Sequence, residues 1–424
     1  MLEKEQSDDQ FGFRPNRRIE DVFAVLEGVI SKTIEWNVPL WMVSIDLRKA
    51  FDRISYHALF QALREQNVPE SYIQLLGLLY QNQTGSVNGS KSFRILRGVK
   101  QGDIISPMLF NAGIEKAFRE WKKRLRNHGF LFTEDGPRFT NTRYADDVML
   151  YGKTEKEVIE MTELLIEEFS KIGLHLNASK TKILTTDVVD YEFLEIGSDM
   201  VEILHGNSTH RFLGRHLRGI LENRGDVEVK HRIQVAWMKY GQFSRIFSNR
   251  KISVKLRLKL FDAIVSPTLL FGLSILPVRQ SHLEKIDVAQ NKMLREIIGW
   301  VRLSTDNWET TMRRMSLRLN RALTHHPITS WSEKVRKAQW KYIARLKSLP
   351  AFQWPVQASR WKIAEINDDS CLYECRRSVG GQLCRWEDNI AKFSKIYLGG
   401  NWYDVGMPTF LQSMSQFLTV GQNI

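Results

Sequence analysis

The chain has 424 residues, enough for two or three domains, and 43% of them are hydrophobic, as in a globular protein. Lys and Arg number 61 against 48 Asp and Glu, which gives a formal net charge of +13. Such a surface favours a polyanion as partner. No stretch approaches the ~20 apolar residues of a membrane-spanning helix, and the polar, acidic amino terminus excludes a secretory signal peptide. We therefore expect an intracellular protein, in the nucleus or the cytoplasm, without a membrane partner.

The cysteines fit a reducing compartment, because three in a chain of this length cannot form a disulfide framework. Cys371, Cys375 and Cys384 are close in sequence, but no fourth Cys or His lies near them at the spacing of zinc ligands. The sequence therefore does not favour a zinc site.

The first 200 residues alternate predicted strands with predicted helices. Leu40 to Ile45 is a short apolar run followed by a carboxylate, and it predicts a buried strand. Asn88-Gly89 predicts the turn of a hairpin over 85–95, and a second hairpin is predicted over 139–151. Further predicted elements are helices over 56–66, 71–80, 107–127 and 155–172, and strands over 182–186 and 192–196. Strands interleaved with covering helices indicate an α+β sheet domain.

From about residue 225 onward the pattern is helical and basic, and it predicts an all-α second domain with helices over 227–247, 253–265 and 281–299. The final hundred residues alternate tryptophan with arginine and lysine. Two interpretations stay open: these aromatic residues stack on bases while the cations pair with phosphates, or they form a small helical core with basic flanks. The tryptophans concerned are Trp331, Trp340, Trp354, Trp361, Trp386 and Trp402.

Three aspartates are candidates for a chemical site. Asp46 ends the first predicted strand, and Asp146 and Asp147 lie at the turn of the second predicted hairpin. If these segments pair in one sheet, their carboxylates converge. Phosphoryl transfer between nucleotides requires two divalent cations held by such oxygen ligands. Taken alone, Asp146-Asp147 is equally compatible with an ordinary solvated turn.

Five short motifs occur in an order that resembles reverse transcriptases, most closely those of non-long-terminal-repeat (LINE-type) retrotransposons and their group II intron relatives. The segment QFGFRPNRR at 10–18 resembles the fingers segment that precedes these motifs. The motifs are DLRKAFD at 46–52, RGVKQGDIISP at 97–107, YADD at 144–147, GLHLNASKTK at 173–182 and FLG at 212–214.

The resemblance implies a right-hand polymerase fold of the α+β class. It assigns partial fingers and palm to 1–190, an α-helical thumb with a primer-grip-like segment to 191–325, and a basic, tryptophan-rich helical extension to 326–424. It implies an RNA-directed DNA polymerase with an RNA template, a DNA primer and deoxynucleoside triphosphates as partners. The implied cofactors are two Mg²⁺ ions, or Mn²⁺ in their place. It does not imply an oligomeric state.

The resemblance also assigns roles near the aspartates. Asp46 and Asp146 correspond to the two principal metal ligands, with Asp147 beside them, and Leu47 contributes its backbone oxygen. Phe51 corresponds to the aromatic residue that closes the sugar pocket and excludes the ribose 2′-hydroxyl. A core position for Phe51 is compatible with that role.

Further roles follow in the later motifs. Gln101 and Gly102 correspond to the loop that contacts the incoming nucleotide and the template, where glycine lets backbone approach a base pair closely. Lys180 or Lys182 corresponds to the lysine that protonates pyrophosphate, or each is only a phosphate-binding charge. The primer grip corresponds to Phe212, Leu213 and Gly214.

Two alternatives stay open. Relatives have a longer fingers region before the segment at 10–18, so the first alternative hypothesis is a truncated, catalytically inactive nucleic-acid-binding remnant of such an element. A viral-type RNA polymerase shares the palm, but Phe51 and the motif at 144–147 disfavour it.

Overall fold

A computed structural model of the chain describes residues 1–87, 91–366, 376–378 and 383–420. The chain divides into two compact units: Met1–Leu221 with Ala351–Gly381, and Glu222–Pro350 with Gln382–Ile424. The predicted boundary after 190 falls inside the first unit, and the predicted region 326–424 is divided between both. The assignment of fingers, palm and thumb to these stretches stays a prediction.

The helices and strands are numbered in chain order. Those of residues 1–221 are α1 (Leu2–Glu5), α2 (Ile19–Glu35), β1 (Trp41–Ile45), α3 (Ala50–Arg53), α4 (Tyr56–Glu65), α5 (Glu70–Tyr80), β2 (Thr84–Gly85), β3 (Phe93–Arg94), α6 (Ser106–Arg124), β4 (Asn141–Tyr144), β5 (Asp147–Gly152), α7 (Glu155–Lys171), β6 (Lys182–Thr185), β7 (Phe193–Ile196), β8 (Asp199–Ile203), β9 (Thr209–Phe212) and β10 (Arg215–Arg218). The later ones are α8 (Arg224–Gln242), α9 (Ser244–Phe247), α10 (Val254–Leu270), α11 (Gln280–Ile298), α12 (Trp308–His325), α13 (Trp331–Ser348), α14 (Trp354–Arg360), α15 (Asp388–Tyr397), α16 (Met407–Gln412) and α17 (Met414–Val420).

The α+β class is confirmed, and the predicted elements are present with ends that differ by a few residues. The predicted turn at Asn88-Gly89 lies outside the described residues, although its flanks β2 and β3 pair antiparallel. The sequence patterns do not predict α2 or β8 to β10. These three strands are short and carry charged side chains, which obscures the alternation of apolar and polar residues.

Six strands form the main sheet of the first unit, in the order β4-β5-β1-β6-β8-β7. Strand β1 is central and antiparallel to both of its neighbours, β5 and β6. Because side chains alternate between the faces of a strand, Val43 packs with residues of α4 to α7, whereas Met42 packs with residues of α2 and α14. Cover on both faces explains why β1 is a continuous apolar run in the sequence.

Helix α14 comes from the far end of the chain and packs on α2. The two backbones approach so closely that a Cβ on Gly28 would lie 3.2 Å from the Cβ of Ala358. Lys32 Nζ donates to the backbone oxygens of Ala358 (2.8 Å) and Ser359 (3.1 Å). These oxygens lie at the carboxyl end of α14, where helix carbonyls lack intrahelical partners and favour a cation.

Trp354 anchors the other end of α14 in the core of the first unit. Its ring packs edge to face against Phe139 and Phe132, with centroids 5.1 and 5.7 Å away. Its indole N–H donates to Asp9 Oδ1 at 2.8 Å. Burial of this helix explains why the stretch that begins at Ala351 belongs to the first unit rather than to a separate carboxyl-terminal domain.

All six tryptophans of the carboxyl-terminal region are buried, so the core interpretation is correct and base stacking by these residues is excluded. The exposed fractions are 0% for Trp331, 1% for Trp340, 4% for Trp354, 5% for Trp361, 6% for Trp386 and 4% for Trp402. No helix among the described residues is both long and apolar enough to cross a bilayer.

Replacing Trp354 by alanine is expected to destabilise the first unit by about 3–5 kcal/mol, because it empties a buried aromatic site and removes the hydrogen bond to Asp9. Urea denaturation measures the change. The matched control is Trp308→Ala, since Trp308 is 63% exposed and should change stability by about 0.5 kcal/mol or less. Equal effects of the two substitutions would contradict the described packing of α14.

Candidate active site

The register of the sheet brings the three candidate aspartates to one end of it. Ile45 of β1 pairs with Val148 of β5, so the next residues outward, Asp46 and Asp147, are neighbours across the two strands. In the β4–β5 hairpin Tyr144 pairs with Asp147, which leaves Ala145 and Asp146 as a two-residue turn. The predicted convergence of the carboxylates therefore follows from strand pairing.

The carboxylates affect one another electrostatically. Burial and the nearby Asp46 raise the pKa of Asp146, against the lowering effect of a backbone hydrogen bond. Burial, Asp146 and Asp46 together raise the pKa of Asp147 to about 6. Like charges held this closely favour either a proton or a bound cation.

Asp46 is held by the segment that follows α7. Asn177 donates from Nδ2 to Asp46 Oδ2 and from its backbone N–H to the Asp46 backbone oxygen, both at 2.8 Å. The backbone N–H of Asp46 donates to Thr181 Oγ1 at 3.2 Å. Next to it, Leu47 is buried and forms an isolated antiparallel bridge with Leu176. Asn177 thus fixes the direction of the Asp46 carboxylate, a role that the motif at 173–182 does not reveal from sequence.

The turn that carries Asp146 is held by Gln10. Its Oε1 accepts from the backbone N–H groups of Ala145 and Gly12, both at 2.9 Å, and its Nε2 donates to the Ala145 backbone oxygen at 3.4 Å. Ala145 has a φ of 58°, a left-handed conformation that costs a non-glycine residue ~1 kcal/mol or more. Sequence reasoning misses Gln10 as a site residue, although it begins the fingers-like segment.

Gly12 lies directly against this turn. A Cβ at this position would be 2.4 Å from the backbone nitrogen of Ala145, a distance that no side chain tolerates. Asn111 of α6 donates from Nδ2 to the Gly12 backbone oxygen at 2.8 Å, which fixes the segment from the other side. The glycine of QFGF is therefore, after Gln10, a second residue of this segment that the turn requires, and its presence in the sequence could have indicated the site.

Phe51 lies half-buried beside the core of the first unit. Its ring stacks on Phe110 with centroids 4.4 Å apart and planes 11° apart, and its backbone oxygen accepts from the N–H of Val99 at 2.7 Å. This geometry agrees with the core role, and the assignment as a sugar gate stays a prediction.

Gln101 and Gly102 lie on an exposed loop, and Gln101 lines an open cleft of about 850 Å³. Gln101 Nε2 is 3.5 Å from Asp52 Oδ1, at the limit of a hydrogen bond. Gly102 has a φ of 88°, and a Cβ there would meet no atom within 4 Å, so the glycine is required by backbone conformation rather than by crowding. The cationic residues that line the cleft are Lys49, Arg97 and Lys100.

The two candidate lysines have different surroundings. Lys182 Nζ donates to Glu202 Oε2 and to the Ser179 backbone oxygen, both at 2.7 Å. Lys180 is exposed, and within the described residues its side chain has no ion pair. Only Lys180 therefore presents a cation that is not already neutralised by a carboxylate.

The predicted primer-grip residues form the tip of the β9–β10 hairpin in the first unit, not in the second. Phe212 is buried in the core, so its ring is not available to a ligand. Leu213 and Gly214 form the two-residue turn, with φ values of 48° and 81°. On the same hairpin His210 hydrogen-bonds Ser44 Oγ at 2.8 Å, and burial, together with Lys182, lowers its pKa to about 4.

Comparison with known proteins identifies the family. The family model described as reverse transcriptase (RNA-dependent DNA polymerase) matches residues 1–217, about half of the chain. The chain belongs to the reverse transcriptase family. This membership confirms the resemblance carried by the five motifs.

Relatives of this reverse transcriptase include proteins of the R2 and jockey types of retrotransposon. The Pol polyprotein of element R2DM of Drosophila melanogaster is 25% identical over 218 residues, which are 48% of this chain and 20% of that protein. The RNA-directed DNA polymerase from mobile element jockey of Drosophila funebris is 22% identical over 367 residues, 80% of this chain and 36% of that protein. The chain thus spans between a fifth and about a third of these two relatives.

Two further comparisons differ in coverage. The transposon-derived protein F52C9.6 of Caenorhabditis elegans is 25% identical over 260 residues, 61% of this chain and 86% of that protein. Among solved structures, apo telomerase from Candida tropicalis is 12% identical, with 84% of this chain and 59% of that chain covered and a TM-score of 0.39.

Reverse transcriptases use divalent metal ions, and the three aspartates fit such ions. They present hard oxygen ligands from adjacent positions of one sheet, and the charge of Asp46 contributes to the raised pKa of both Asp146 and Asp147. None of the three forms an ion pair with a cationic side chain of the described residues. Within the same residues no three His, Cys, Asp or Glu side chains are gathered closely enough to form a complete metal site. Mg²⁺ takes only a few protein carboxylates, and water and substrate phosphates complete its coordination.

Replacing Asp147 by asparagine is expected to stabilise the protein by about 1 kcal/mol at pH 7.5. This figure is reduced for solvent screening, because the residue keeps contact with water although neighbouring atoms partly desolvate its carboxylate. The folded-state pKa of about 6 lies above the ordinary value of about 4. The folded state therefore binds the proton more tightly, and the wild type loses stability as the pH rises from about 4 to about 6.

Thermal unfolding at pH 7.5 and at pH 4 measures this difference, without divalent ions. The advantage of Asp147→Asn should be present at the higher pH and absent at the lower one. Asp135→Asn, at an exposed loop position, is the control and should change neither value. A variant no more stable than wild type at pH 7.5 would refute the proposed repulsion.

Proposed function

We propose that this chain is the RNA-directed DNA polymerase of a LINE-type retrotransposable element, which extends a DNA primer along an RNA template with deoxynucleoside triphosphates. The observation that carries the proposal is the gathering of Asp46, Asp146 and Asp147 at one end of the sheet, in a chain of the reverse transcriptase family. The name of the jockey relative, an RNA-directed DNA polymerase from a mobile element, supports the same activity.

The aspartates would hold two divalent cations, Mg²⁺ or Mn²⁺, with Asp46 and Asp146 as principal ligands and Asp147 and the backbone oxygen of Leu47 beside them. When bound, such ions lower the pKa of the primer 3′-hydroxyl and stabilise the pyrophosphate leaving group. Asn177 keeps the Asp46 carboxylate in one orientation, which reduces the reorganisation needed when substrate binds.

The incoming nucleotide would occupy the open cleft beside Gln101 and Gly102. Lys49, Arg97 and Lys100 line this cleft, so its charge complements a triphosphate. Lys180 is the better candidate of the two lysines to contact pyrophosphate, because Lys182 is already paired with Glu202.

The alternative, an inactive nucleic-acid-binding remnant, receives less support. In an element that had lost catalysis, substitutions of the side chains that hold the catalytic turn by hydrogen bonds would not be selected against. Here the three carboxylates are accompanied by Gln10, which holds the turn, and by Asn177, which holds Asp46.

Substitution of Asp146 by asparagine is expected to abolish primer extension on an RNA template, by about 100-fold or more, because several kcal/mol of charge stabilisation depend on this ligand. Extension of a labelled DNA primer with Mg²⁺ measures the loss. Asp135→Asn controls for removal of an exposed carboxylate and should extend at the wild-type rate. Template binding without extension by the wild type would support the remnant instead.

Truncation of Phe51 to alanine is expected to raise incorporation of ribonucleotides relative to deoxynucleotides by about 10-fold, since the ring no longer excludes the 2′-hydroxyl. The measured quantity is the ratio of the two incorporation rates, which does not depend on the fraction of folded enzyme. This matters because Phe51 also stacks on Phe110. Phe352→Ala, at an exposed position, is the control, and an unchanged ratio in Phe51→Ala would eliminate the gate assignment.

A further inference from the structure

Two tryptophans of the second unit are exposed, although the others of this unit that the sequence highlights are buried. Trp300 is 36% exposed and Trp308 is 63% exposed. They lie just after α11 and at the start of α12, and their ring centroids are 5.9 Å apart with planes at 43°. A pair of large rings kept at the surface offers flat apolar area that the fold itself does not use.

Two arginines converge beside this pair. Arg250 Nη2 and Arg318 Nη2 each lie 3.9 Å from the point that a Cβ of Gly299 would occupy. Arg318 Nη1 also donates to the Gly299 backbone oxygen at 3.3 Å. Gly299 directly precedes Trp300, so guanidinium groups from two separate parts of the chain meet next to the exposed rings.

The charge around the rings is positive and largely unneutralised. Residues 299–325 contain five arginines against two acidic residues, Asp306 and Glu309. Asp306 is already paired with Arg314 at 2.9 Å. Within the described residues neither Arg250 nor Arg318 forms an ion pair with a carboxylate. Positive groups held together in this way favour a bound anion.

We propose that Trp300, Trp308, Arg250 and Arg318 form a binding surface for single-stranded nucleic acid. Unpaired bases expose the faces on which aromatic rings stack, whereas a duplex conceals them, and arginines supply the contacts to phosphate. An acidic protein segment would satisfy the arginines but would make no comparable use of two adjacent indole rings. The surface lies wholly within the second unit and does not depend on the carboxylates of the first.

Binding without catalysis tests the proposal. The 424-residue chain, in EDTA and without nucleotides, is titrated into a labelled single-stranded RNA of about 20 nucleotides, the DNA of the same sequence, and a duplex of the same length, at several salt concentrations. Fluorescence anisotropy gives the affinity and its salt dependence. Because no metal ion or nucleotide is present, failure of this test is independent of failure of the proposed polymerase activity.

The double variant Trp300→Ala with Trp308→Ala should bind both single strands about 10-fold or more weakly, because it removes both rings on which bases stack. Its salt slope should be unchanged, and its affinity for the duplex should fall less. The double variant Arg250→Ala with Arg318→Ala should instead lower the salt slope by about 1–2, at ~0.7 per lost phosphate contact. An equal loss of affinity for RNA and for DNA would indicate a surface that binds either nucleic acid. A loss of affinity for only one of them would identify that one as the ligand.

Matched controls use exposed side chains of the same kind elsewhere. Phe352→Ala removes an exposed ring, and Arg64→Ala removes an exposed arginine that is paired with Glu70. Both should bind like wild type. Cross-linking of 4-thiouridine RNA should also label peptides that contain Trp300 or Trp308.

Three results would overturn the proposal. The first is unchanged single-strand affinity in the tryptophan variant with its melting temperature intact. The second is an equal loss on duplex and single strands, which would indicate phosphate contacts alone. The third is unchanged RNA binding in both variants together with weakened binding of polyglutamate, which would assign the surface to an acidic protein partner.

Discussion

The antiparallel pairing of β1 with β5 is the constraint on which the site depends. It places Asp46 across from Asp147, and the short β4–β5 turn adds Asp146 beside them. A slip of one residue would turn every side chain of β1 to the opposite face. Both faces of β1 are covered by apolar clusters, so such a slip would place the hydroxyl of Ser44, which now hydrogen-bonds His210, in the apolar site of Val43. Hydrophobic packing thus fixes the register, and the register fixes the carboxylates.

A polar network extends this constraint from the turn to the far end of the chain. Gln10 holds the turn, and its neighbour Asp9 accepts from the indole N–H of Trp354. Burial alone would raise the pKa of Asp9, but Lys122 and Arg143 outweigh it and lower that pKa. Asp9 therefore stays charged inside the protein, with cations and an indole as partners. One buried carboxylate thus connects the late helix α14 with Arg143 of β4, the strand that leads into the candidate catalytic turn.

Sequence patterns predict the strands and the aspartates because periodicity and short motifs are local properties. They do not predict Gln10 or Asn177, whose roles depend on contacts more than a hundred residues away. They also fail to separate buried from exposed tryptophans, because alternation of aromatic and cationic residues is the same in a core helix and in a binding surface. Trp354 belongs to the first unit although it follows helices of the second unit in sequence. Units that are not contiguous along the chain cannot be predicted by placing boundaries in chain order.

Calorimetric titration of Mn²⁺ at pH 7.5 into wild-type protein and Gln10→Ala tests whether the held turn organises the carboxylates for a cation. Gln10 supplies no metal ligand, and it hydrogen-bonds both backbone groups of Ala145. We expect Gln10→Ala to bind Mn²⁺ about 10-fold or more weakly, as is usual when a partner of the ligands is removed. Asp46→Asn, which removes a proposed metal ligand directly, gives the decrease in Mn²⁺ affinity with which the effect of Gln10→Ala is compared. Wild-type affinity in a folded Gln10→Ala protein would contradict the account.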